Sequence, residues 1–349
     1  MGDPRTVVIT GASRGLGLAS AAHLYKLGWR VVGAMRTPDV GLERLREATG
    51  APPDDPRLIG VQLDLTDRAS IEAAAKSIET AVGAPHAVVH NAGIMAAGCV
   101  EEMDVDVWQD LFTTNLFGPV ALTKALLPAM RAAGRGRIVV ISSEGGVRGM
   151  PTIAAYSAVK GASERWAEAM AGEVAPFGLG VTILVAGTFD TDILTDAGVQ
   201  DYRGLDGPYG PINTNIDRRG RLAIRIAGTP ERFARGLAKA LDDTAPLSRH
   251  AVGPDAHMLL ISNRFLPNRL LQQVTRVAMG IPRSVLYAAI QSPNPLTVSK
   301  IKESARCSCS TTWTISDPLT MRSLGTYAIP TPSCLASGNP NRCNGWTSP

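Results

Sequence analysis

"VVITGASRGLGLASAAHLYKLG", residues 7–28, decides the fold. Its first four residues are β-branched and the first three apolar, as in a strand buried on both faces, and its last ten carry the small and apolar residues of a packed helix. Between them stand Gly11, Gly15 and Gly17, spaced G-x-x-x-G-x-G. Glycines there permit a tight turn, and they let backbone N–H groups and the helix N-terminus approach a pyrophosphate. A glycine-rich turn alone is only a loop. Placed between the first strand and the first helix, it reads as a dinucleotide cradle.

The same alternation continues downstream. Apolar runs at 6–10, 30–35, 58–64, 87–90, 137–142 and 181–187 are interleaved with helical periodicity near 15–28, 67–82, 105–132 and 156–176. Strands that are apolar throughout, each followed by a helix, imply a parallel sheet covered on both faces. The expectation is one doubly wound α/β domain over residues 1–255. Residues 190–228 break the pattern with Gly, Pro, Asp and Arg and read as a long substrate loop. Thr229, Pro230 and Glu231 then cap and open a new helix. A short strand is expected near 250–253, followed by basic amphipathic helices completing an extension over 256–290. Packing on the body is their default role, and subunit contact or a membrane surface are the alternatives. The last 59 residues hold 18 Ser and Thr, 7 Pro and four of the five cysteines without any hydrophobic period, a composition that predicts disorder over 291–349.

Bulk properties narrow the function. Of the net charge of +4, residues 291–349 contribute +3, and the near-neutral remainder argues against a nucleic-acid binder. No apolar run reaches spanning length and no signal-like segment opens the chain, so a cytoplasmic protein without an integral membrane segment is expected. Cys99 reads as core packing, and Cys307, Cys309, Cys334 and Cys343 lack zinc-site spacing, so no metal is assigned.

Cofactor choice turns on the end of the second strand. An acidic residue there would accept from a ribose 2′-hydroxyl and repel a 2′-phosphate; this chain has Met35 and Arg36 instead. With Arg14 inside the glycine loop, two guanidiniums match a phosphate, which favours NADP(H) over NAD(H).

"HNAG" (90–93), "TNLFG" (114–118), "ISS" (141–143) and "YSAVK" (156–160) follow the glycine loop in order. With them the chain resembles the short-chain dehydrogenase/reductase family over about residues 5–255, with a softer similarity to its hydroxysteroid and retinol dehydrogenase branch. The resemblance implies a Rossmann-type fold, a small carbonyl or alcohol substrate and a homo-oligomer. It makes Tyr156 the general acid or base, Lys160 its tuning partner and a ribose contact, and Ser143 the donor to the substrate oxygen. Asn115 would hold a helix distortion and a relay water. Gly11, Ser13, Arg14, Gly15, Leu16, Gly17 and Arg36 would hold the nucleotide's phosphates. Asp64 and Leu65 would flank the adenine, Asn91, Ala92 and Gly93 would line the ribose side, and Gly187, Thr188 and Thr191 would meet the nicotinamide. Two departures stand out: His90 replaces a common asparagine, and Ala186 replaces the proline before Gly187, which loosens that turn.

Carbonyl reduction needs hydride at carbon and a proton at oxygen. A charged Lys160 about 5 Å from the phenol, at an effective dielectric near 20, would favour the phenolate by roughly 3 kcal/mol, bringing Tyr156 toward neutrality. Glu144–Met150, Ala186–Phe189, Tyr202 and Tyr209 are expected around the substrate. A non-catalytic NADP(H)-binding regulator or scaffold is the rival reading, and an epimerase or dehydratase is the third.

Overall fold

The computed structural model describes residues 4–191 and 199–281. Seven strands form one sheet: β1 (Thr6–Thr10), β2 (Arg30–Met35), β3 (Leu58–Gln62), β4 (Ala87–His90), β6 (Gly136–Ser143), β7 (Leu179–Ala186) and β9 (Leu247–Val252). Their order is β3-β2-β1-β4-β6-β7-β9, and every pairing is parallel. A separate parallel pair joins β5 (Met95–Ala97) to β8 (Val199–Asp201). The chain moves outward from β1 in one direction through β2 and β3, and in the other from β4, so a crevice opens at the carboxyl ends of β1 and β4.

Period-two alternation divides the sheet residues between two cores. Val8, Val32, Val88 and Ile138 face α3 (Arg68–Val82), α5 (Gly118–Ala133) and α7 (Ala154–Val174). Val7, Ile9, Val31 and Val89 face α1 (Gly15–Lys26), α2 (Pro38–Thr49) and α9 (Pro230–Leu241). This is the doubly wound, Rossmann-type sheet that the alternation implied.

Three elements differ from the sequence reading. Helix α2 has no apolar stripe: only Gly41 and Leu45 are buried, so its 3.6-residue period is weak, and the sequence pattern misses it. The helix expected over 105–132 is two helices, α4 (Val105–Phe112) and α5, joined by a π-helical turn at Thr113–Phe117. Residues 190–228 are not structureless, for α8 (Gly210–Arg225) lies within them. Tertiary contacts make that helix: buried Asn213 donates to Glu102 Oε1 at 2.8 Å and to the Gly204 carbonyl at 2.8 Å. Thr229 caps α9 as expected, its hydroxyl accepting from Arg232 N.

After β9 come α10 (Pro254–Phe265) and α11 (Asn268–Ala278). The expected helical segment 282–290, the tail 291–349 and its four cysteines lie outside the described residues.

Phe233 of α9 is fully buried and meets Phe189, just beyond β7, edge-on at 5.5 Å. It ties the outer helix to the start of the substrate-side segment. Phe233→Ala should cost about 3–5 kcal/mol of stability, read as a lowered denaturant midpoint in chemical unfolding.

Candidate active site

At the carboxyl edge of the sheet, β6 ends at Ser143 and α7 begins eleven residues later at Ala154. Adjacent residues on a strand point to opposite faces, which separates the two serines. Ser142 turns into the protein, donating to buried Glu164 Oε1 at 2.5 Å, while Ser143 hydrogen-bonds Tyr156. Tyr156 and Lys160 lie one turn apart on α7. The Lys160 ammonium is buried, donates to the Ile141 carbonyl at 2.8 Å and lies 5.7 Å from the centre of the Tyr156 ring. The three side chains thus meet at one point of the crevice.

Their protonation differs from the sequence expectation. Loss of water around the phenol pushes Tyr156 up to about 12, against a weaker downward pull from its Ser143 hydrogen bond. Burial brings Lys160 down to about 8, while the Glu164 carboxylate one turn away acts upward. Tyr156 therefore does not titrate near neutrality. Desolvation of the phenol, which a two-charge calculation leaves out, is the dominant cause. At neutral pH the site holds a protonated phenol beside a cationic amine.

Asn115 sits within the π-helical turn and is buried. Its side-chain amide pairs with the backbone of Ile94, accepting from Ile94 N at 2.8 Å and donating to Ile94 O at 2.9 Å. The expected helix distortion is there, but the side chain is committed to the scaffold. His90, the departure from the usual asparagine, has its Nε2 at 2.7 Å from the Thr123 hydroxyl, and burial lowers it to about 4, so it is neutral and structural.

The glycine loop has the form of a cradle. Gly11 and Gly15 adopt φ of +69° and +54°, conformations that side-chain-bearing residues rarely take. A Cβ at Gly17 would run into the Gly11 carbonyl and lie 2.6 Å from Asn91 Nδ2. Asn91 locks this crossing by donating from Nδ2 to Thr10 O at 2.9 Å, and Asn91 N and Ala92 N both donate to the Thr10 hydroxyl at 3.0 Å. Gly93 leaves no room for a side chain, since a Cβ would lie 2.8 Å from Asn115 Oδ1. Leu16 packs on the core beneath the loop. Thr191 is brought against the cradle, its Cγ2 3.6 Å from where a Gly15 Cβ would stand.

Arg14 and Arg36 are exposed at this end, and Ser13 joins them through a third guanidinium: Arg44 of α2 reaches the Ser13 carbonyl at 3.4 Å. Missing α2 in the sequence meant missing Arg44. Asp64, beyond β3, is held below the usual carboxylate range by the Thr66 backbone N–H and hydroxyl, with Arg36 adding its positive field, and the neighbouring Leu65 is buried.

The turn after β7 is the other departure, and it is not loose. Asp255, in the first turn of α10, accepts from Thr188 N through Oδ2 at 2.6 Å and from Ala256 N through Oδ1 at 3.0 Å. Gly187 is required beneath it, because a Cβ there would strike the carboxylate. Gly187 N also donates to Val252 O, and Thr188 O accepts from Gly228 N, each at 2.9 Å. Hydrogen bonds thus fix the angle that a proline would have set. No periodicity marks Asp255, which joins the turn only through the long-range return of the chain. Glu144, next to Ser143, is pushed up to about 7, first by burial and then by the charge of Asp255. Tyr202 N donates to Ala97 O at 2.7 Å, and the exposed Tyr209 hydroxyl donates to Glu101 at 2.7 Å. Among the described residues no group of three metal-ligating side chains is brought together.

The sequence profile described as short chain dehydrogenase matches residues 5–201. A 3-ketodihydrosphingosine reductase of Bacteroides thetaiotaomicron is 30% identical over 80% of this chain and 99% of its own length. A dehydrogenase/reductase SDR family protein 7-like of Anopheles gambiae is 39% identical over 68% of this chain and 72% of its own. Among solved structures, a short-chain dehydrogenase of Streptomyces avermitilis superposes with a TM-score of 0.68 at 32% identity, covering 81% of this chain and 100% of that one. The F189W actinorhodin polyketide ketoreductase with NADPH gives 0.60 at 28% identity, over 72% and 96%.

The carboxyl pair has a definite pH consequence. A Glu144 raised from 4.5 to about 7 keeps in the folded state a proton that the unfolded chain has released, so its contribution to stability is complete below 4.5 and is lost as pH rises through about 7. Glu144→Gln should flatten that part of the stability–pH curve in thermal unfolding. Asp255→Ala should lower the Glu144 midpoint, which remains above the ordinary range because burial persists, as followed by NMR titration of the carboxyl carbon.

Proposed function

The chain belongs to the short-chain dehydrogenase family, and on that premise we propose that it moves a hydride between NADP(H) and a moderately apolar ketone, aldehyde or secondary alcohol. The convergence of Ser143, Tyr156 and Lys160 on one point of the crevice carries the reading. Bound nicotinamide nucleotide supplies or accepts the hydride. The residues of the chain handle the oxygen and its proton.

Ser143 donates a hydrogen bond where negative charge develops on the carbonyl oxygen. Tyr156, protonated at neutral pH, gives its proton to that oxygen as the alkoxide forms. A phenol held near 12 is still far more acidic than an alcohol, so the transfer runs downhill in the reducing direction. Lys160 stabilises the phenolate left behind and contacts the nucleotide ribose. Asn115, in the π-helical turn, would hold a water in the proton relay.

The cradle around Gly17 and the N-terminus of α1 fit a pyrophosphate, with Gly11, Ser13, Gly15 and Leu16 shaping the turn. Arg14, Arg36 and Arg44 give a 2′-phosphate three guanidiniums within reach of one loop, which favours NADP(H) over NAD(H). Asp64 and Leu65 take the adenine, Asn91, Ala92 and Gly93 the ribose side, and Gly187, Thr188 and Thr191 the nicotinamide end. The polyketide ketoreductase neighbour with NADPH supports the choice of nucleotide, and the keto compound in the name of the Bacteroides relative supports a carbonyl substrate.

A panel of ketones and aldehydes, each assayed with both reduced nucleotides, tests the reading. Tyr156→Phe should bind NADPH as the unsubstituted chain does and lose turnover, and Ser143→Ala should lose about 10²–10³ in rate. Binding of nucleotide without turnover of any compound would instead identify a regulator. Arg36→Asp should shift the ratio of kcat/KM values toward NADH, and an unchanged ratio would place 2′-phosphate recognition elsewhere.

A further inference from the structure

Helices α10 and α11 carry a feature that the catalytic site does not use. Met258, Ile261 and Phe265 follow one another at helical spacing on α10, as Leu270, Val274 and Val277 do on α11, and all six are exposed. Phe265 is 73% exposed, far more than a large aromatic ring with a structural role. The opposite sides of the helices are occupied normally, with Ala256 and Leu271 buried and Leu260 against the core. These helices therefore already have their packing face, and the exposed stripes are additional to it.

Charge indicates what the stripes meet. From Ala256 to Ile281 the chain has Arg264, Arg269 and Arg276 and no Asp or Glu. The preceding Asp255 is turned inward to Thr188. Helix α8 is attached to the same end, Arg219 donating to the Val277 carbonyl at 3.0 Å, and it adds exposed Leu222 with Arg218 and Arg225. Its Asp217 is paired with Arg221 at 2.9 Å. Apolar side chains flanked by uncompensated arginines complement a surface with an apolar interior and an anionic face. A second copy of this chain would instead bring the same arginines toward one another. Among the described residues no helix is long and apolar enough to cross a membrane, so any such contact is peripheral.

We propose that the α10–α11 face docks on the surface of an anionic lipid bilayer, the six apolar side chains entering the acyl boundary and the exposed Arg264 and Arg269 meeting the headgroup phosphates. This binding requires neither nucleotide nor turnover.

The test is co-sedimentation of the full-length chain with phosphatidylcholine vesicles, with and without phosphatidylglycerol. Binding is expected only where phosphatidylglycerol is present, and added salt should release the protein. Phe265→Glu and Val274→Glu should each abolish it, whereas Arg264→Gln and Arg269→Gln should each weaken partitioning about fivefold. All four positions are on the surface, so thermal midpoints and NADPH binding should match those of the unsubstituted chain. Failure to sediment with the anionic vesicles, or binding unaffected by Phe265→Glu, overturns the proposal. So does a concentration-dependent dimer in sedimentation velocity that Phe265→Glu dissociates while vesicles stay unbound, because the stripe then belongs to a second copy.

Discussion

One hydrogen bond, from the buried Lys160 ammonium to the Ile141 carbonyl, sets the geometry of the site. It joins α7 to the carboxyl end of β6, and so fixes Tyr156, one turn earlier, against Ser143, two residues later on the strand. A charged donor in such a bond contributes about 1.5–3 kcal/mol, which offsets part of the cost of burying the amine. The same packing that holds the tyrosine in place removes water from its hydroxyl, and that burial is what raises its pKa. Behind the lysine, Glu164 accepts from Ser142 and pairs with Arg249 Nη1 at 2.8 Å, so the field that sustains the ammonium is itself anchored to β6 and β9.

The sheet was readable because its information is local. A strand buried on both faces must be apolar at every position, and the turn between β1 and α1 must be glycine where φ is positive or a Cβ would meet backbone. The proximity of Ser143, Tyr156 and Lys160 was readable through the spacing of motifs, which orders them without any knowledge of packing. What escaped was set by distant parts of the chain. Helix α2 shows the sheet too narrow an apolar face to register, and α8 owes its place to Asn213 meeting Glu102, 111 residues away. The acidity of Tyr156 escaped for another reason. A Coulomb estimate between two residues includes their attraction but not the water each has lost, and here desolvation decides the sign.

The turn after β7 shows how a missing motif residue differs from a missing function. Proline would restrict that backbone through its ring; here Asp255 restricts it with a hydrogen bond at 2.6 Å, and Gly187 supplies the space. The two devices are not equivalent. A ring is indifferent to its surroundings, whereas a carboxylate carries charge, and the charge of Asp255 acts on Glu144 beside Ser143. Substituting one for the other therefore adds an electrostatic link between the turn after β7 and Glu144.

That link originates in α10, which gives the C-terminal helices a part in the site although they contribute none of its motifs. The first turn of α10 directs Asp255 inward, and Arg148, just beyond the helical turn that follows Ser143, donates to the Asn268 carbonyl of α11 at 3.1 Å. The helices are thus bonded to both walls of the crevice. Their outward side bears the exposed apolar stripes, opposite the ends that hold Thr188 and the segment after Ser143. Two polar attachments hold their inner side to the turn after β7 and to the segment after Ser143, while the outer side stays open.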